Sequence, residues 1–307
     1  MFFTLDDVVR FSRLFRRLPC EVSEELRGWN WDEYPLVPPY GVRLSVGEVA
    51  GGFCPTDRVV YLRRVLGVRE RRSLPLSIGS YVHRVCYEAV KEAKRVIYGH
   101  EDVDGYRFHR LFSGRRVGVL ERLLVEYGDL PRELAEGVMG ALWNYAANTY
   151  ASALDRLRTR SPYLSLDGLA SMVVPMAVEY PIDGSLIGLY RTLRVDALLQ
   201  PNVLVELKVR STRPEHEVGL AAYALAFESQ YEVPVNYALM VNIRFDDEWR
   251  SFKSYEKVVP ISDELRQRFI ERRDAVMRIV AEEVDPGVPD RCNPFCPYLE
   301  ECRGRAS

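Results

Sequence analysis

The sequence predicts an α/β (α+β) protein in which a helical N-terminal half leads into a mixed sheet flanked by helices. Apolar residues recur with helical spacing in three long stretches of the first half, 77–99, 107–127 and 131–159. Near residue 172 the pattern changes to short runs rich in β-branched and aromatic residues, separated by turn residues. A helical stretch at 214–231 interrupts these runs, so the second half predicts a sheet with helices packed on it.

Three shorter helices are predicted before the long ones. Residues 4–18 form the first, with Thr4 as its cap and Pro19 beyond its end. The sequence "SVGE" at 45–48 is typical of a capping box that begins a second helix. After the Cys-Pro pair that follows, Thr56 is the predicted cap of a third.

The second half contains six predicted strands. Asp183-Gly184 and Pro201-Asn202 supply turn signals between successive strands. A helix is expected at 262–284, and the tail beyond it has almost no regular pattern. The predicted strands are 172–182, 185–191, 193–200, 203–211, 235–245 and 255–260.

The composition is that of a soluble globular protein, with 47% hydrophobic and 28% charged residues among 307. No apolar run is long enough to span a bilayer, so no membrane contact is expected. The first residues lack the basic leader and cleavage site of a signal peptide, which predicts a cytoplasmic protein. In that compartment clustered cysteines favour metal or redox chemistry over disulfides, with hyperthermophiles as the exception.

The net charge of −2 gives no global support for nucleic-acid binding, but basic residues cluster locally. Six arginines and one glutamate fall in "RVVYLRRVLGVRERR" at 58–72. A solvated surface is the ordinary explanation of such a run. The alternation with apolar residues favours a helix that faces phosphates. The candidates for backbone contacts with DNA are Arg63, Arg64, Arg71 and Arg72.

The hairpin "LRVDALLQPNVLVELKVRS" carries the residues with the most chemical content. Its strands are largely apolar, and Asp196, Glu206 and Lys208 interrupt them. Burying these charges is costly unless they pair with one another or bind a metal. A two-residue loop at 201–202 would put Asp196 on the face away from the other two. We therefore predict an odd-length turn or a bulge; a three-residue loop at 201–203, for example, would place Asp196 opposite Lys208.

Two carboxylates on one face can bind Mg²⁺ or Mn²⁺, and an adjacent lysine can orient a water or stabilise charge at phosphorus. The alternative is an ion pair on a half-exposed strand, because E-x-K is a common tripeptide. His83 and Tyr223, taken singly, are typical of helix residues that pack in a core.

Taken in chain order, "LPLSIGSYVH", "RVDALL", "VELK" and the helix with Tyr223 resemble the RecB-like branch of the P-D-(D/E)-x-K nucleases. Cys54 and three terminal cysteines narrow the match. Over residues 45–303 the chain resembles the CRISPR-associated iron–sulfur exonucleases of the fourth Cas family, most closely an archaeal variant of type I-A systems.

The resemblance implies a restriction-endonuclease-like sheet core and a C-terminal iron–sulfur region within a single nuclease domain, 1–307. Its expected sub-regions are 1–76, 77–165, 170–261 and 262–307.

The same resemblance implies that His83, Asp196 and Glu206 ligate Mn²⁺ or Mg²⁺ and that Lys208 serves the attacking water. Tyr223 would complete a Q-x-x-x-Y helix motif, but Gly219 stands where glutamine is expected.

The terminal stretch "RCNPFCPYLEECRG" supplies three cysteines, one fewer than a four-thiolate site requires. Cys86 lies on an apolar helix stripe, and Cys20 receives no role but is left open as an alternative ligand. Four thiolates fit a [4Fe–4S] cluster or tetrahedral zinc, and one distant cysteine with a close trio is the iron–sulfur arrangement of the resembled family. The spacing of the first pair is C-x3-C where C-x2-C is commoner. The expected ligands are Cys54, Cys292, Cys296 and Cys302.

The resemblance therefore implies a DNA exonuclease, with endonuclease activity left open, that trims single-stranded ends for CRISPR spacer acquisition. Its expected partners are the CRISPR integrase and that enzyme's small companion subunit, and a homo-oligomer is left open. One alternative is a non-catalytic iron–sulfur DNA-binding or scaffold subunit. Another is a RecB-like repair nuclease outside CRISPR.

Overall fold

The fold is a mixed sheet between two helical layers, described by a computed structural model for residues 1–51, 54–70, 73–200, 202–209, 212–294 and 296–304. In this part of the chain the helices are α1 (Leu5–Phe15), α2 (Val46–Ala50), α3 (Arg58–Arg64), α4 (Leu74–Tyr98), α5 (Gly105–Glu126), α6 (Arg132–Arg160), α7 (Leu166–Val173), α8 (Glu215–Tyr231), α9 (Asp263–Ala281) and α10 (Leu299–Gly304). The strands are β1 (Met176–Ile182), β2 (Leu193–Leu199), β3 (Val203–Val209), β4 (Tyr237–Phe245) and β5 (Phe252–Pro260). The predicted fold class is confirmed, with a helical first half and a sheet in the second.

The five strands lie in chain order, and β3 and β4 are the parallel pair. Parallel neighbours need a crossover connection, which α8 supplies. The pairs β1–β2, β2–β3 and β4–β5 are antiparallel. Within the described ranges, no helix is long and apolar enough to cross a membrane.

The sheet separates two hydrophobic cores. The first contains α4, α5 and α6 and takes the side chains of Val205 and Leu207 from β3. The second contains α8 and α9 and takes Leu204 from the opposite face of β3. Because alternate residues of a strand point to opposite faces, Glu206 and Lys208 lie on the face of the second core. The helix α8 packs on this face against β1 and β3.

A buried ion pair joins the two helices of the second core. Arg266 of α9 and Glu228 of α8 are fully buried, and two hydrogen bonds of 2.6 and 2.8 Å connect them. The Glu228 carboxylate also accepts from the backbone amides of Gly28 and Val235, each at 2.9 Å. These contacts offset the desolvation of the two charges and fix α8, and therefore the face it covers.

One predicted strand is wrong. Residues 185–191 form a short 3-10 turn, Ser185–Ile187, and Leu189 makes an isolated bridge to Leu44. The apolar side chains that suggested a strand, Ile187 and Leu189, are fully buried in the second core. Burial on all sides produces a short apolar run in either conformation, so the pattern alone did not discriminate.

Other differences concern where elements begin. The predicted strand at 172–182 starts at Met176, because Met172 and Val173 belong to α7 and Val174 caps that helix. The cap of α3 is Asp57, with a left-handed φ of 59°, and not Thr56. The hydroxyl of Thr56 instead donates to the carbonyl of Gly287 at 2.9 Å. The predicted capping box of α2 is confirmed, since Ser45 and Glu48 bond each other's backbone amides.

Candidate active site

The β2–β3 hairpin brings the acidic residues to one level of the sheet. Leu199 pairs with Val203 and Ala197 with Val205, so the connection has an odd number of residues, as predicted. The observed pairing of β2 with β3 differs from the predicted example, a loop at 201–203 with Asp196 opposite Lys208. Continued by one residue, it places Asp196 level with Glu206 and not with Lys208.

A local change in strand β1 lies beside Asp196. Residues Met176 and Val178 pack in the first core, whereas Tyr180 and Ile182 pack in the second. The residue between the two sets is Glu179, whose φ of 50° is uncommon for a residue with a side chain. The flanking pairs Val178–Ala197 and Tyr180–Val195 set Glu179 level with Asp196. The side chains of β1 therefore switch from one face of the sheet to the other at Glu179, which is level with Asp196.

Asp196 is held on both of its oxygens. Its Oδ1 lies 2.9 Å from Nδ1 of His83, and its Oδ2 accepts from the backbone amide of Leu207 at 2.6 Å. His83 reaches it from α4, which packs against β1 and β3. Burial acts to lower the pKa of His83, but the charge of Asp196 and its hydrogen bond outweigh burial and raise that pKa above the ordinary value.

Glu206 and Lys208 form the second pair of the site. The Lys208 ammonium donates to Oε1 of Glu206 at 2.6 Å. Burial and the negative charge of Asp196 raise the pKa of Glu206, and the charges of Lys208 and His83 only partly oppose this. Two carboxylates that repel each other in a buried site are the electrostatic setting that a divalent cation relieves.

The donor set fits a hard divalent ion. Carboxylate oxygens of Asp196 and Glu206 with one nitrogen of His83 match the ligands that Mn²⁺ and Mg²⁺ accept. Among the described residues, no group of three or more His, Cys, Asp or Glu side chains is already arranged around a metal position. In the structure these side chains are engaged in the His83–Asp196 and Lys208–Glu206 pairs.

Tyr223 faces the same site from α8. Burial, followed by the charges of Glu206, Asp196 and Glu179, raises the pKa of its phenol far above the ordinary value. The hydroxyl therefore remains protonated at neutral pH and can serve only as a neutral hydrogen-bonding group.

Three residues near the site were not predicted. Burial and the charge of Asp196 raise the pKa of Glu179. Asn242 of β4, which is 5% exposed, donates to the carbonyl of Lys208 at 3.1 Å. Burial and the charge of Lys208 lower the pKa of His216 to about 4. A polar residue inside an apolar run could have pointed to both Asn242, in "ALMVNI", and Glu179, in "MAVEYPI".

Gly219 lies on α8 beneath α2. A β-carbon built at this position would be 3.4 Å from Cγ1 of Val46 and 3.5 Å from Cβ of Ala50. These are ordinary contacts for a methyl group, and they leave little depth for a longer side chain. The glycine in place of the expected glutamine thus coincides with the close approach of α2 to α8.

The candidate DNA-binding arginines of α3 are engaged within the protein. Arg63 pairs with the carboxylate of Glu48 at 2.6 Å, and Arg64 lies 3.3 Å from the same carboxylate. Arg64 also donates to the hydroxyl of Tyr190 at 2.6 Å. A contact with DNA phosphates at these two positions stays a prediction. The other two candidates, Arg71 and Arg72, lie outside the described residues.

Three of the four candidate cluster cysteines lie in one region, because Cys54 and Cys296 line the same hollow and Cys296 packs against the buried cluster that contains Cys302. Burial raises the pKa of the Cys296 thiol, and the charges of Cys54, Cys302 and Cys292 raise it further. Cys54 therefore lies near a cysteine that follows it by 242 positions in sequence, but among the described residues no group of three cysteines is arranged around a metal position. Cys86 is buried in the first core instead.

A buried arginine anchors this cysteine group. Arg58 is 5% exposed, and its guanidinium donates to Sγ of Cys302 at 3.2 Å and to the carbonyl of Cys302 at 2.9 Å. Its other nitrogens bind the Asp285 carboxylate at 2.8 Å. Arg58 therefore fixes the position of one candidate ligand sulfur.

Comparison with known proteins agrees with these features. The family model "CRISPR-associated exonuclease Csa1" matches residues 1–305. The chain belongs to this family. A family member from Saccharolobus solfataricus, named CRISPR-associated exonuclease Csa1, is 37% identical over 303 residues, or 98% of this chain and 99% of its own. A relative of the same name from Thermoproteus tenax is 32% identical over 303 residues, covering 96% and 99% of the two chains.

A weaker structural likeness exists to the crystal structure of SSO0001. It covers 62% of this chain and 85% of the other at 17% identity, with a TM-score of 0.23. That score is too low to support an argument about the site.

Proposed function

We propose that this protein is a metal-dependent deoxyribonuclease that degrades DNA from single-stranded ends, with endonuclease activity as a second possibility. The observation that carries the proposal is the convergence of His83, Asp196, Glu206 and Lys208, which come from one helix and two strands. The names of the relatives, CRISPR-associated exonuclease, support the same reaction class.

In this proposal each residue of the site has a separate role in phosphodiester hydrolysis. His83, Asp196 and Glu206 hold Mn²⁺ or Mg²⁺, which supplies Lewis acidity and lowers the pKa of water when bound. Lys208, kept next to Glu206, orients the attacking water and offsets negative charge at phosphorus. The backbone amide of Leu207 fixes the orientation of Asp196. Glu179, level with Asp196, adds negative charge that strengthens attraction of the cation.

The cysteine group has a structural role in the proposal. Cys54, Cys292, Cys296 and Cys302 would hold a [4Fe–4S] cluster, and the hydrogen bonds of Arg58 would hold Cys302 in position. A cluster there would join α3 to the end of the chain and would take no part in hydrolysis. Tetrahedral zinc is the alternative for four thiolates.

The cellular task we propose is the trimming of DNA fragments for insertion into a CRISPR array. The relatives' names link them to CRISPR. Partners would be the integrase that inserts the fragments and its small companion subunit, and the protein itself could form a homo-oligomer.

The test compares wild type, purified without oxygen, with Lys208→Ala and Glu206→Gln on end-labelled single-stranded DNA. We expect Mn²⁺-dependent shortening by wild type and at least about 10²-fold slower cleavage by both variants, since each removes a group that acts in the transition state. The Arg160→Ala variant, at an arginine whose side chain is 69% exposed on α6, is the control for loss of a positive charge. Cleavage that survives both site substitutions would exclude this site.

The rival proposal, a non-catalytic iron–sulfur scaffold, rests on Gly219 in the place of the expected glutamine. It predicts DNA binding by wild type without cleavage under any divalent ion. A repair nuclease outside CRISPR would cleave DNA but would not copurify with the integrase.

A further inference from the structure

An open strip of the sheet continues from the candidate site on the same face. Lys208 of β3 is level with Asn242 of β4, which in turn is level with Tyr255 of β5. Side chains at paired positions of neighbouring strands lie on the same face. Two strand spacings, or roughly 10 Å, therefore separate Lys208 from Tyr255 across the sheet.

The strip is not covered by the helix that closes the rest of this face. The helix α8 begins at its border, where the ammonium of Lys257 donates to Glu217 in the first turn. Tyr255 remains 51% exposed. A hollow of about 340 Å³ lies here. Its walls are formed by Thr212, Met240, Asn242, Arg244, Tyr255, Glu256 and Lys257.

A series of contacts that begins at Lys208 fixes the guanidinium of Arg244 in this hollow. Asn242, 5% exposed, donates to the backbone carbonyl of Lys208 at 3.1 Å. The Nε of Arg244 donates to the side-chain oxygen of the same asparagine at 2.9 Å. The guanidinium carbon of Arg244 lies 5.4 Å from the centre of the Tyr255 ring. Arg244 is thus oriented by a buried amide that itself binds the strand of Lys208.

The charges of the strip favour an anion. Lys253 is level with Arg244 on the neighbouring strand, so the two cations share one face. The acidic residues nearby are engaged, Glu217 with Lys257 and Glu256 with Arg10 at 2.7 Å. A cation pair beside an exposed aromatic ring matches a nucleotide, which carries a phosphate and a flat base.

We infer that Arg244 and Tyr255 form a subsite for the DNA nucleotide next to the scissile phosphate. This inference rests on the proposed nuclease function and deepens it. Arg244 binds the neighbouring phosphate, and the base stacks on Tyr255 and the guanidinium plane. Asn242 is a positioning residue that fixes Arg244 relative to Lys208. Stacking and phosphate contacts accept any base, so the subsite is independent of sequence.

Binding without cleavage gives the first test. A fluorescent single-stranded oligonucleotide is titrated with wild type, Tyr255→Leu and Arg244→Gln in buffer without divalent cations. We expect the Kd to rise about tenfold in each variant, a typical loss for one stacked base. The controls Tyr163→Leu and Arg160→Gln alter a 98% exposed tyrosine and an arginine with a 69% exposed side chain away from the sheet, and their Kd should equal that of wild type.

Photocrosslinking gives the second test. Oligonucleotides with a single 5-iodouracil at successive positions are irradiated on wild type, and the attached peptide is identified by mass spectrometry. We expect one position near the cleaved end to mark Tyr255. A crosslink yield unchanged in Tyr255→Leu would overturn the subsite.

The outcomes separate this inference from the nuclease proposal. If wild type cleaves DNA and both variants bind and cleave like it, the subsite is wrong and the nuclease proposal stands. If wild type binds without cleaving and the variants bind about tenfold less well, the subsite is supported and the nuclease proposal fails. If wild type neither binds nor cleaves DNA, both are wrong.

Discussion

At the scale of single residues, the site depends on carboxylates that lie close enough to influence one another. Asp196 is held by His83 and by the amide of Leu207, while Glu206 is held by Lys208. These contacts leave Glu206 with a raised pKa, because burial and the charge of Asp196 outweigh its ion pair. Glu179 adds a further carboxylate to this group.

Glu179 provides a prediction at this scale. Glu179→Gln removes one negative charge beside Asp196 but keeps the shape of the side chain. We expect the Mn²⁺ concentration for half-maximal cleavage to rise about tenfold, in the range of supporting groups around metal sites, with a smaller change in the maximal rate. The measurement is cleavage rate against Mn²⁺ concentration. Glu248→Gln, at a position with a 74% exposed side chain, is the matched control, and an unchanged Mn²⁺ dependence of Glu179→Gln would contradict the role.

The residues of the site were predictable to different degrees. Asp196, Glu206 and Lys208 interrupt apolar strands, so their cost of burial was readable from the sequence. The contact between His83 and Asp196 spans 113 residues, and the resemblance to a nuclease family, not helix periodicity, paired them. Glu179 also interrupts an apolar strand, but its position beside Asp196 depends on a left-handed φ that no local pattern indicates.

At the scale of elements, two helices show how packing selects residues near the site. Gly219 in the interior of α8 faces Val46 and Ala50 of α2. The short α2 is in turn fixed by its capping box and by Glu48, which is 3% exposed and pairs with two arginines of α3. The position of α2 therefore depends on an ion-pair group that the sequence suggested only as a basic run.

A pair of substitutions at Gly219 tests this packing. Gly219→Ala should stabilise the protein by about 0.5–1 kcal/mol, because alanine favours the helix and its methyl group makes ordinary contacts. Gly219→Gln should instead destabilise it by about 1–3 kcal/mol, because the longer side chain meets α2. Urea unfolding measures both, and a glutamine variant as stable as the alanine variant would show that α2 leaves room.

Glu48 gives a prediction about pH. Burial acts to raise its pKa, but the bonds to the Ser45 amide, Arg63 and Arg64 lower it overall. A lowered pKa in the folded state contributes stability above the unfolded-state pKa, and this contribution is lost as pH falls through the folded-state pKa. Glu48→Gln should therefore be about 2 kcal/mol less stable than wild type at pH 7.

The difference in unfolding free energy between wild type and Glu48→Gln should shrink as the pH is lowered below about 4.5, the ordinary value for glutamate. Urea unfolding at a series of pH values measures it. Glu101→Gln, an exposed control, should show no difference from wild type at any pH. A pH-independent difference for Glu48→Gln would contradict the argument.

The elements themselves were predicted best where a single face is buried. Stretches 77–99, 107–127 and 131–159 correspond closely to α4, α5 and α6. Residues 185–191 were assigned wrongly because Ile187 and Leu189 are buried without forming a regular face. The sheet register also depended on tertiary contacts, since one extra or missing turn residue shifts every pairing.

At the scale of the whole molecule, contacts between distant parts of the chain meet at the cysteine group. Arg58 and Cys302 are 244 residues apart, and Arg58 also binds Asp285. Thr56 bonds to the carbonyl of Gly287 in the same region. Polar contacts therefore attach the end of the chain to α3 and to the residues just before it, and the arginines of this helix also position α2 above α8.

This arrangement predicts that substituting a cysteine near α3 and substituting one near the end of the chain have the same effect on iron content and on Tm. Cys54→Ser and Cys302→Ser should each lose most bound iron, because each removes one of four proposed ligands. Each should also lower Tm by about 5–10 °C, since releasing a cross-link between distant residues costs roughly 3–5 kcal/mol. Iron analysis, absorbance near 400 nm and calorimetry on protein purified without oxygen measure these effects. The control Cys20→Ser, at a cysteine outside the group, should equal wild type in iron content, absorbance and Tm. Full iron content in either ligand variant would exclude that cysteine as a ligand, and iron loss with an unchanged Tm would show that the polar contacts of Arg58 alone hold the two ends together.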